Sequence, residues 1–162
     1  MSSFNPTSMG LGGPGWGEGR VAQNAAEFSR QLVALSQQIR ERAELAIKKG
    51  VFDLYTRIAE RTPHDTGRAS ASWHLSLDEN SSFVAPEQGL EVGTIAQLVA
   101  GHAEGFDFRL EDGVVYIINN LEYVEALENG HSRQAPQGMV AVSLAEFTAH
   151  FEGILRDLGL AA

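Results

Sequence analysis

An apolar stripe on one helical face, running from Phe28 to Ile58, most limits what this chain can become. Phe28, Leu32, Leu35, Ile39, Ala43, Ala46, Ile47, Leu54 and Ile58 all fall on that face, as an amphipathic α-helix requires. The pattern predicts one helix from Asn24 to about Arg61. Asn24 with Glu27 makes a capping-box arrangement at its start. Thr62-Pro63 stops it, because the residue before a proline avoids the α region. Gly50 costs up to about 1 kcal/mol relative to Ala and marks a place for a kink or break. At ~1.5 Å per residue the helix runs roughly 50 Å, more than a small domain needs for its own core. Its far end is therefore expected to lie along a sheet or to meet another subunit.

The remainder reads as short elements. His64-Asp65-Thr66-Gly67 is a turn with Gly67 at positive φ. Ala69 to Asp78 alternates Trp73, Leu75 and Leu77 against Ser72, His74 and Ser76, which predicts a strand. Residues 79–93 form a polar loop. Thr94 is the expected cap of a helix through Ile95, Leu98, Val99 and His102, ended by Gly105. Phe106–Leu110 and Val114–Asn119 read as strands paired across Glu111-Asp112-Gly113. A short helix over Tyr123–Glu128 stops at Asn129-Gly130. A last helix runs from about Pro136–Val140 to Leu158, with Leu144, Phe147, Phe151, Ile154, Leu155 and Leu158 on its core face. Together these predict an α+β fold, a small largely antiparallel sheet packed by the long N-terminal helix and a C-terminal helix. Residues 1–23 carry six glycines and two prolines and are expected to be a flexible arm with Trp16 as its one sticky side chain. Residues 24–162 are expected to form a single domain.

Charge is divided unevenly along the 162 residues. Residues 20–61 carry eight basic and five acidic side chains (+3), and residues 62–162 carry four and fifteen (−11), within a net charge of −9. An acidic body repels phosphate, which disfavours tight nucleic-acid binding but suits a channel through which DNA slides. The chain has no cysteine, which excludes disulfides, thiolate nucleophiles and cysteine metal sites. No apolar run approaches the ~20 residues that cross a bilayer, and no secretory signal is visible at the N-terminus.

Catalytic patterns are fragmentary. Gly10-x-Gly12-x-x-Gly15 lacks the preceding strand of a dinucleotide site and is interrupted by Pro14. Glu122, Glu125 and Glu128 followed by His131 have the makings of a metal site, but they also read as the solvated face of a helix that buries Tyr123, Val124 and Leu127. His102-Ala103-Glu104 lacks the cysteines of zinc deaminases. His64 and Asp65 suit a base and its orienter, without a nucleophile elbow beside them. No catalytic, cofactor or metal site is expected.

Two blocks carry more information. One is Thr62-Pro63-x-Asp65-Thr66-Gly67-Arg68. The other is Asn119-Asn120-x-x-Tyr123-Val124-x-x-Leu127-Glu128-x-Gly130-x-Ser132-x-Gln134-Ala135-Pro136-x-Gly138-Met139-Val140. In order and spacing they resemble the tail-completion (neck, or head–tail joining) proteins of long-tailed bacteriophages, over roughly residues 24–155. The resemblance implies a structural virion protein between the capsid connector and the tail tube. It implies a homo-oligomeric ring, expected to be a hexamer, through which DNA passes without sequence-specific binding. Expected partners are other copies, the connector, the tail terminator and the tail tube, with no membrane. The expected location is the virion neck, and the host cytoplasm during assembly. Subunit-interface candidates are Trp16, Arg40, Arg42, Lys48, Lys49, Glu128, His131, Ser132, Arg133 and Gln134. Alternatives are a tail terminator, a head-closure protein, or a small metal-dependent hydrolase using His131 with Glu125 and Glu128.

Overall fold

Helix α1 spans Glu18–Arg61 without a break at Gly50, in a computed structural model that describes residues 18–87 and 92–161. It begins upstream of Asn24, so that residue is helical and caps nothing. Its end is as expected: Thr62 Oγ1 donates to the Ile58 carbonyl at 2.7 Å, and Gly67 turns the chain at φ 76°. Gly50 is needed for contact, because a Cβ there would stand 2.6 Å from the Phe151 ring. Gly50→Ala is expected to destabilise by about 1–2 kcal/mol through overpacking, despite the better helix propensity of Ala. Denaturant unfolding measures this, and Phe151→Leu in the same chain should restore part of the loss.

The chain divides between Arg40 and Glu41 into two compact units. In the first, every described side chain from Asn24 to Arg40 is exposed, including Phe28, Leu32, Leu35 and Ile39. The second holds the core: Tyr55, Ile58, Ala59, Trp73, Ala135 and Met139, with Leu54, Leu75, Val99, Ile117, Val124, Leu127 and Val140 packed around them. The polar atoms in this core are matched. The Tyr55 hydroxyl donates to the Trp73 carbonyl at 3.0 Å, and the Trp73 indole donates to Thr62 Oγ1 at 2.8 Å. Burial pushes the Tyr55 phenol well above its ordinary range, so it stays neutral.

The α+β class is as expected, but the sheet is smaller. Residues Arg68–Ala71 form a single helical turn, α2, where a strand was expected. Its small side chains allow the turn, and the Ser72 hydroxyl closes it by donating to the Arg68 carbonyl at 2.8 Å. Strand β1 is therefore only His74–Ser76. It pairs antiparallel with β2, Tyr116–Ile118, in the register Leu75 to Ile117. The expected hairpin partner, Phe106–Leu110, is not a strand. The Asp112 carboxylate accepts the Arg109 N–H at 2.7 Å and Glu44 accepts the Leu110 N–H at 3.3 Å, so side chains take donors that a ladder would have used. A 3-10 turn, Leu110–Asp112, follows.

Helix α3 covers Val92–Glu104, which leaves Thr94 inside its first turn and not at its cap. Helices α4, Val124–Glu128, and α5, Val140–Asp157, lie close to their expected limits. On α5 the expected core residue Leu144 is exposed, and its neighbour Ser143 is buried. Ser143 Oγ accepts from Arg61 Nη1 at 3.0 Å and donates to the Met139 carbonyl at 2.7 Å. Arg61 also reaches Glu146 at 2.8 Å, and this hydrogen bond holds the Glu146 carboxyl below its ordinary range. Polar groups, and not Leu144, therefore join this part of α5 to α1.

Candidate functional site

The two sequence blocks, some sixty residues apart, meet in space. Gln134 Oε1 accepts the His64 N–H at 2.9 Å, which ties the second block to the turn of the first. Both line one open groove of about 480 Å³, bounded by Pro63, Asp65, Thr66, Tyr123, Leu127 and the run 131–134.

The second block holds itself in shape. Helix α4 ends in a Schellman arrangement, with His131 N–H on the Ala126 carbonyl and Gly130 N–H on that of Leu127, both at 3.1 Å. This pattern places a left-handed residue after the helix, and Gly130 has φ 81°. No side chain fits there, since a Cβ would lie 2.7 Å from the Pro136 carbonyl oxygen. The loop then folds tightly, with Ala135 N–H on the Ser132 carbonyl at 3.2 Å and Gln134 N–H on Ser132 Oγ at 3.2 Å.

Glu128 closes the structure from the other side. Its carboxylate accepts the N–H groups of Met139 at 2.7 Å, Val140 at 2.8 Å and Ala141 at 2.9 Å. These are the free donors at the start of α5, where a negative charge also suits the helix dipole. Burial pushes the Glu128 carboxyl upward, but the three backbone donors outweigh it and hold it below its ordinary range. The paired asparagines act likewise. Asn119 Nδ2 donates to the Ala69 carbonyl at 2.9 Å, and Asn120 Nδ2 to the Ser81 and Phe83 carbonyls at 2.7 and 3.1 Å.

The candidate residues thus occupy different settings. Arg133 is exposed on the groove, with no hydrogen-bond or ion-pair partner among the described residues. Ser132 and Gln134 shape the loop, and His131 Nδ1 faces the Ala126 carbonyl at 2.9 Å. Arg42 and Lys49 are exposed on α1, as is Arg40, while Lys48 is paired with Asp107. Trp16 lies outside the described residues. Tyr123, expected to be buried, is 42 % exposed and joins Asp65 on the groove. Sequence reading named neither as an interface candidate. Their place inside the two blocks was the available signal.

The chemistry considered for the metal pattern is not assembled. Glu128 is committed to α5, Glu122 and Glu125 are exposed, and among the described residues no three His, Asp or Glu side chains gather to hold an ion. His64 Nδ1 meets Ser70 Oγ at 2.8 Å, but Ser70 is fully buried and out of reach of a substrate. Among the described residues no helix is long and apolar enough to cross a membrane.

A family model described as "Bacteriophage HK97-gp10, putative tail-component" matches residues 26–130. No curated protein and no solved structure matches the chain.

Proposed function

Because the chain belongs to the HK97-gp10-like family of bacteriophage tail components, we propose that it completes the phage neck, as a ring of copies that joins the tail to the head connector. The meeting of the two sequence blocks on one open groove carries this reading. The groove is built by a rigid, internally bonded loop, which suits surface recognition better than chemistry. Arg133 offers it a planar fork of donors for an acidic neighbour, and residues 62–162 of another copy, at −11, supply acidic surface. The same negative charge lets DNA pass through a ring without adhering. Partners in this reading are the connector, the tail terminator and the tail tube.

Native mass spectrometry and negative-stain imaging of the full chain test the ring, with an expected closed particle pierced by a channel. Arg133→Glu is expected to weaken assembly at least tenfold, read as the concentration at which rings dissociate. Assembly indifferent to that reversal would remove the groove from the contact. Virion density that puts the chain away from the neck would overturn the placement and favour a terminator.

A further inference from the structure

Arg42, Lys49, Asp53 and Glu60 follow one another on α1 at steps of seven, four and seven residues. Such steps keep them on one face of a helix with 3.6 residues per turn. Their signs run plus, plus, minus, minus. Arg42, Lys49 and Glu60 are exposed and have no hydrogen-bond or ion-pair partner among the described residues. Asp53 accepts from Arg57 at 2.7 Å and meets His150 at 3.2 Å. Leu45, on the same face, is 43 % exposed. Further along that face an open, largely apolar groove of about 300 Å³ lies beside Thr56, lined with small side chains at Ala59, Ala96 and Ala100.

We propose that this face pairs two copies of the chain, α1 against α1, in an antiparallel dimer with twofold symmetry. The spacing of charge selects the partner. Read backwards, the series has the same steps and the opposite sign at every place. A second copy of the helix, reversed about residue 51, therefore sets Arg42 against Glu60 and Lys49 against Asp53 on both sides of the axis. A foreign helix would have to repeat that series to match it. Shape follows the same axis, because Leu45 of each copy comes opposite Thr56 of the other, at the mouth of the small-lined groove. Exposed ion pairs add little affinity, so here they set direction and register. Burial of the two Leu45 side chains supplies the attraction. A twofold contact uses one surface on both copies and stops at two. It therefore stands apart from the ring contact at Arg133 and does not rest on it.

Charge reversal on the full chain tests this. The parent is expected to dimerise in sedimentation and native mass spectrometry at low salt, and to dissociate as salt rises. Arg42→Glu or Glu60→Arg sets like charges opposite each other twice, and each alone is expected to raise the dissociation constant about tenfold or more. Mixing the two variants one to one restores opposite charges at both places. The mixture is therefore expected to regain the parent's affinity as heterodimers, which mass resolves from either homodimer. That rescue also shows that each variant has folded. A parent that stays monomeric at its highest soluble concentration would overturn the proposal. So would a dimer indifferent to either reversal, or a loss that mixing does not repair. Assemblies of more than two copies that respond to these reversals would assign the face to the ring and sink the twofold dimer.

Discussion

Trp73→Ala is expected to lower the unfolding free energy by about 3–5 kcal/mol, the range for truncating a buried aromatic side chain. Domains commonly hold only ~5–15 kcal/mol in total, so the variant should melt far earlier or fail to accumulate. The size of the effect follows from position. Trp73 is packed among Tyr55, Ile58, Ala59, Ala135 and Met139, so one indole joins α1 to the second sequence block. Trp73→Phe separates packing from hydrogen bonding. Thr62 Oγ1 already gives its proton to Ile58, and without the indole it becomes a buried acceptor with no donor, a cost of roughly 1–3 kcal/mol. Chemical denaturation followed by circular dichroism measures both variants. Phe28→Ala, on the exposed part of α1, is expected to stay within about 0.5 kcal/mol of the parent as a monomer. A loss below about 1 kcal/mol for Trp73→Ala would mean that the core is elsewhere.

Glu128→Ala is expected to cost about 2–3 kcal/mol, since it removes a charged acceptor from three backbone donors and a favourable charge from a helix N-terminus. No other carboxylate among the described residues takes its place at the start of α5. The pH dependence has a definite sign. The folded carboxyl titrates below its ordinary value of 4.5, so its contribution is fully present above that value and is lost as pH falls through the folded value. Glu128→Gln should therefore flatten the acid limb of the stability curve, with little change in its shape near neutrality. An unchanged acid limb would show that the carboxylate is not seated on α5. Gly138 makes the seat possible, because a Cβ there would lie 2.6 Å from the Glu128 carbonyl oxygen.

Legibility in the sequence followed the range of the forces involved. Helices α1, α4 and α5 were readable because their signals are local: spacing on one face, Thr62-Pro63 at one end, Asn129-Gly130 at another. Strand limits were not, because Ser72 and Asp112 turn the chain with their own side chains, and alternation alone does not reveal that competition. Leu144 and Tyr123 misled for a related reason. Periodicity predicts which residues share a face, and the neighbouring element decides whether that face is covered.

The order of residues by itself determined the long helix, its stop, the acidic body and the two blocks that resemble a phage neck family. Those properties belong to neighbours in the chain or to sums over it. Only the tertiary structure decided that the two blocks share a groove, that Glu128 is held by α5 while Arg133 faces outward, and that the apolar stripe is covered in its second half and open in its first. Each of these depends on which surfaces meet in space, across eleven residues for Glu128 and α5 and about seventy for His64 and Gln134, and burial, unlike helical spacing, is a property of the pair.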